Sequence, residues 1–192
     1  MLLNIIKQFN WVDIFIVILL IRIFYISIRS GLAIEIFKVA GTVLAIFLSL
    51  HHYTNLADII KLRLTGEKVP IEFLDFLCFV FLAFLGYLIV ALLCKVFSRF
   101  IKIEAVPALN KWGGLTLGVV RGFLLSSIVI YVLSISGISY FKNSVIDSYF
   151  GKRLFKIAPV TYGKIWSGFV SKFVPKEKFN PSIQEVEKAF KK

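Results

Sequence analysis

The sequence predicts an all-α polytopic membrane protein: four transmembrane helices, then amphipathic surface helices and a short soluble C-terminal helix. Three observations predict it. The 192-residue chain is 58% hydrophobic, with 20 phenylalanines and only 18% charged residues, too little polar surface for a soluble domain of this length. Four apolar segments approach the ~20 residues that a helix needs to cross a bilayer. The charges are sparse from Trp11 to Gly137 and dense from Lys142 to Lys192. The pattern divides the chain into an N-terminal cytoplasmic segment (1–10), a four-span membrane domain (11–140), a basic amphipathic interfacial region (141–175) and a soluble tail (176–192). The first ten residues hold Lys7, Gln8 and Asn10. No small-residue cleavage site follows the first apolar run, so this start does not match a cleavable signal peptide.

Span one is "WVDIFIVILLIRIFYISI", Trp11 to Ile28. Asp13 stands at its start, where a carboxylate suits a helix N-terminus. Arg22 lies about 9 Å of helix before Ile28 and reads as a snorkelling side chain. Span two is "GLAIEIFKVAGTVLAIFLSL", Gly31 to Leu50, close enough to span one for a tight hairpin or a bent pair. "HHYTNLADIIKLRLTGEKVP" follows and reads as a short interfacial helix, then a turn at Gly66 and Pro70. Span three runs from about Ile71 to Phe97, and a basic connection from Ser98 to Trp112 leads to span four, from Gly113 to about Gly137.

In the tail, "APVTYGKIWSGFVSKFVP" places Tyr162, Trp166, Phe169 and Phe173 on one helical face and Lys164 and Lys172 on the other. Lys164, Trp166 and Lys172 are therefore expected at the membrane surface, rings below and lysines above. Docking on the spans or on a partner is the alternative. In "NPSIQEVEKAFKK", Ser182 and Glu185 have the spacing of a capping box opening a solvated helix.

The net charge is +12. Base-stacking motifs, zinc spacings and recognition helices are missing from the sequence, so nucleic acid is not the expected partner. The expected partner is the lipid bilayer, with anionic lipids at the cytoplasmic face drawing the basic tail. Four spans put both termini on one side. That side holds Lys7, Lys61, Arg63, Lys68, Lys142, Lys152, Arg153 and Lys156, against Arg29, Arg99, Lys102 and Lys111 on the other. The positive-inside rule thus favours cytoplasmic termini.

No nucleophile motif, phosphate loop or HExxH sequence is present, so the expectation is a non-enzymatic protein without cofactor. Cys78 and Cys94 lie about 24 Å apart along one helix, too far to bridge. His51 and His52 lack carboxylates or cysteines at ligand spacing, so no metal is expected.

The most informative stretch is "GGLTLGVVRGFLLSS", residues 113 to 127. Gly114, Gly118, Gly122 and Ser126 recur every four residues and form a face that another helix can approach closely. Gly41, Ala45 and Ser49 form a matching row on span two, which predicts that spans two and four pack through these faces or that the faces build a homo-oligomer. Arg121 interrupts apolar sequence, where a charge costs at least about 2.5 kcal/mol. It either snorkels or pairs with Glu35, which lies at comparable depth on span two. Glu35 and Lys38, three residues apart on one helix, can equally satisfy each other.

Asp13 after an aromatic-rich start, "RSGLAIE" with Gly31 and Glu35, "HHYTNL" and "GGLTLGVVRG" occur in this order and resemble the colicin V production protein family over about residues 10–140. The resemblance implies a small multi-pass protein of the bacterial inner membrane. It would support production or export of a peptide toxin and envelope maintenance through helix-mediated interactions with a membrane partner or a second copy. It carries over Asp13, Gly31, Glu35, Gly114, Gly118, Arg121 and Gly122 as characteristic positions. The family usually shows Asp-Arg where this chain has Asn110-Lys111, so the negative charge there is lost. Intramembrane Arg121 and Glu35 motivate the alternative of a small transporter or channel component, and Asp13 is a third candidate for an intramembrane charge.

Overall fold

The computed structural model describes residues 9–63, 69–100, 107–174 and 177–191. Lys7, Gly66, Lys68, Lys102 and Pro175 lie outside the described residues. Four long helices, α1 (Trp11–Ser30), α2 (Leu32–Arg63), α3 (Ile71–Phe100) and α4 (Pro107–Ile135), are followed by short ones. These are α5 (Ser139–Asp147), α6 (Tyr149–Leu154), α7 (Ile157–Ile165), a π-helical turn (Trp166–Val170), α8 (Ser171–Phe173) and α9 (Ser182–Lys191). All four long helices are long and apolar enough to cross a membrane. This is a multi-pass membrane protein.

The order in space is α1, α4, α2, α3. α4 packs along both α1 and α2, and α3 packs along α2, so α4 is the most buried span. Gly31 alone joins α1 to α2. Its φ of 78° lies in the left-handed region, open to glycine because it has no Cβ, and the reversal lets α4 come between the two helices.

Two boundaries differ from the sequence expectation. α2 does not end at Leu50 but continues as one helix through the His51–Arg63 stretch expected to form a separate interfacial helix. At 32 residues it is about 48 Å long and overruns a ~30 Å hydrocarbon core. Falling hydropathy marks where a helix leaves the bilayer, and nothing there breaks the backbone. α4 likewise starts at Pro107, a residue suited to a first helical turn, so Asn110 and Lys111 are helical.

The tail folds back on the bundle. An aromatic chain crosses it from α2 to α9: Tyr53 meets Phe79 at 5.7 Å, Phe79 meets Tyr131 at 5.4 Å, Tyr131 meets Phe155 at 5.6 Å and Phe155 stacks on Phe190 at 4.1 Å. Such pairs add about 0.5–1.5 kcal/mol each beyond area burial. Ile183 is buried, so α9 is a docked helix and not a solvated one. The expected capping hydrogen bonds of Ser182 and Glu185 give way to Asn180, whose side chain accepts from the Ser182 N–H at 3.1 Å. In α7, Tyr162 is fully buried, whereas Phe169 and Phe173 farther on are exposed. The amphipathic stretch is thus docked at its start and free at its end.

Candidate functional site

Where α1 turns into α2, three charged side chains meet inside the spans. Arg121 is the central residue of α4, fourteen positions from either end. Helical side chains lean toward the helix N-terminus, and this one leans to Glu35 in the first turn of α2. Arg121 Nε lies 3.0 Å from Glu35 Oε2, and Nη2 donates to Oε1 at 3.4 Å. The Nε–Oε2 approach is a charge contact whose angle does not make a hydrogen bond. Glu35 is fully buried and Arg121 nearly so. Of the two readings of Arg121, the structure shows the ion pair. Lys38 Nζ also donates to Glu35 Oε1 at 2.8 Å, so one carboxylate serves two cations.

Two serines of the last turn of α1 complete the junction in the same way. Ser27 Oγ donates to the Ile23 carbonyl at 2.7 Å and accepts from Arg121 Nη2 at 3.3 Å. Ser30 Oγ donates to the Ile26 carbonyl at 3.0 Å and accepts from Lys38 Nζ at 2.6 Å. Each hydroxyl, pinned by its own helix, presents a lone pair to a cation. Asn110 closes the top: its Oδ1 accepts from the Leu32 N–H at 2.7 Å, capping the α2 N-terminus. The neutral amide supplies the oxygen that this cap needs, so the missing acid of the Asp-Arg pattern leaves the contact intact.

The glycine rows pack on different helices from those expected. Gly114, Gly118 and Gly122 face α1, not α2: a Cβ on Gly114 would lie 2.9 Å from the Ser27 carbonyl, one on Gly118 would collide with the Ser27 side chain, and one on Gly122 would meet Leu20 at 2.9 Å. Gly41 faces Tyr87 and Val90 of α3. Ala45 receives Gly86, where a Cβ would stand 2.8 Å from the Ala45 Cα. Gly86 belongs to the same α2–α3 seam and was missed because no second small residue repeats with it. Ser49 is buried and donates to its own Ala45 carbonyl. Ser126 is buried without a hydrogen-bond partner among the described residues. The physical reason for the exchange is the single-residue turn: it puts Ser27 and Gly31 beside α4, and the closest approach goes to that pair.

Asp13 is not part of this junction. It lies at the other end of α1 and is also fully buried. Its Oδ2 accepts from the Asn10 N–H at 3.1 Å, while Asn10 caps Val12 and Asp13 in return. It also accepts from Ser148 Oγ at 2.7 Å, from the Tyr149 N–H at 3.2 Å and from the Phe150 N–H at 2.8 Å. One carboxylate therefore caps both α1 and α6. Asn10 was legible as the cap three residues before Asp13; Ser148, 135 residues away, gave no local signal.

A third polar cluster holds the tail to the α2 segment around His51. His51 Nδ1 lies 2.9 Å from the Tyr162 hydroxyl and Nε2 3.1 Å from Glu177 Oε2, and Asn180 Nδ2 donates to the Leu50 carbonyl at 2.8 Å. Burial, ahead of the Glu177 charge, raises the Tyr162 pKa above its ordinary value. Trp166 packs 5.4 Å from His51, whereas Lys164 and Lys172 are exposed. No cluster of three potential metal ligands occurs among the described residues.

Four spans enclosing a Ser–Glu–Arg–Lys junction, with a helical tail docked at the opposite end, define a polytopic membrane protein built around a buried ion pair. The sequence pattern of the colicin V production protein family matches residues 12–159, and the chain belongs to that family. The match extends past α4 to α7, so it includes the Ser148 region that Asp13 caps. No curated protein and no solved structure matches the chain.

Proposed function

We propose that this is a non-enzymatic protein of the bacterial inner membrane that supports peptide-toxin production or export and envelope maintenance by holding other membrane proteins through its helices, with both termini in the cytoplasm. Membership of the colicin V production protein family carries this reading. The packing refines it. The glycine face of α4 is used within the chain, so a partner meets the outer face of α3, where Phe81, Phe84 and Leu92 are exposed. The basic tail, with Lys164 and Lys172, rests on anionic lipid at the cytoplasmic face. In cells that make a peptide toxin, deleting the gene lowers toxin release. Wild-type protein restores it and a Phe81→Ala, Phe84→Ala variant of equal membrane abundance does not. Equal release from all three strains sinks the proposal.

A second reading has its own observation: two cations share one carboxylate within the spans, an arrangement suited to a small transporter or channel component. Solute flux in proteoliposomes that is present for wild type and lost for folded Arg121→Ala selects this reading.

A further inference from the structure

Among the described residues, the junction brings together more basic groups than acidic ones. Two basic side chains, Arg121 and Lys38, face the single carboxyl of Glu35, and the N-terminus of α2 adds a partial positive charge at the same place. Arg121 is closed in, but Lys38 is not: its side chain keeps 21% of its exposure. Lys38 borders a cavity of about 130 Å³ between α2 and α3, close to the ~150 Å³ apolar cavity that admits one benzene-sized group. Phe37, Gly41, Tyr87 and Ala91 line it, and Lys38 is the charged residue of the lining. Ile34 on its rim is 41% exposed, so the groove opens sideways from the bundle, where the bilayer lies. Lys38 sits six residues into α2, about 9 Å along the axis, a depth from which a lysine reaches the headgroup layer.

From this geometry we infer that the α2–α3 groove binds one anionic phospholipid in the leaflet away from the termini, its phosphate on Lys38 and part of an acyl chain against Phe37, Tyr87 and Ala91. The phosphate supplies the missing negative charge, and the apolar groove selects an anion that carries a hydrocarbon chain over a free one. A zwitterionic lipid brings a second cation to a site already in excess. This site is distinct from the lysines of the tail, which face the other leaflet, and it stands independently of the proposed cellular role.

The test uses the full chain in uncharged detergent, its melting temperature followed while dioleoylphosphatidylglycerol, dioleoylphosphatidylcholine or inorganic phosphate is added. The anionic lipid is expected to raise Tm by roughly 5 °C or more at saturation, the zwitterionic lipid by less than half as much, and phosphate not at all. Lys38→Gln removes the cation. Ala91→Phe fills the groove from an exposed position and leaves Glu35, Arg121 and Lys38 in place. Both variants are expected to lose most of the shift. An equal rise with phosphatidylcholine or with phosphate alone, or a full shift retained by either variant, overturns the inference.

Discussion

Glu35 and Asp13 are both fully buried carboxylates close to the start of a spanning helix, yet their partners differ in kind. Glu35 faces charges carried on long side chains, Arg121 and Lys38. Asp13 is satisfied by fixed dipoles: three backbone N–H groups and one hydroxyl. Neutral N–H and hydroxyl donors left without their acceptor cost less than a buried cation left without its counter-charge. The first arrangement ties three helices together inside the membrane, and the second docks the tail at its edge.

The comparison ranks the variants, each read by unfolding in detergent. Glu35→Ala leaves Arg121 unpaired in the spans and is expected to cost about 3–5 kcal/mol. A smaller loss than for Asp13→Ala breaks the comparison. Gly118→Leu drives a side chain into Ser27 and is expected to cost about 3 kcal/mol, at the upper end for overpacking. Asp13→Ala removes the acceptor for two helix starts and should cost about 2 kcal/mol. Asn180→Ala frees the tail from the Leu50 carbonyl for about 1 kcal/mol, visible as faster proteolysis after Val174 with the spans left intact. Gly163 has nothing within 4 Å, so Gly163→Ala is the control: neutral, or stabilising by up to about 1 kcal/mol.

The membrane architecture was legible because hydropathy over twenty residues survives any packing arrangement. The Arg121–Glu35 pairing was legible only as one of two options. α4 begins at Pro107, six residues before the first glycine of the block, which places Arg121 at its centre. The small-residue rows were visible, but a row says that a helix comes close without saying which; the answer depended on Gly31, a turn of one residue. In the tail, Ile183, Val186 and Phe190 share a helical face that signals docking. It was outweighed by the lysines and glutamates on the opposite face, although a short helix needs only one apolar edge to pack.

The central claim is that Arg121 and Glu35 hold α4 to α2 as a buried pair. A double-mutant cycle with Glu35→Gln and Arg121→Met, each unfolded in the same detergent, tests it most directly. Contact predicts a coupling energy of about 2 kcal/mol, with the double variant more stable than the sum of the single losses allows. Losses that add within about 0.5 kcal/mol would contradict it and return Arg121 to the membrane surface.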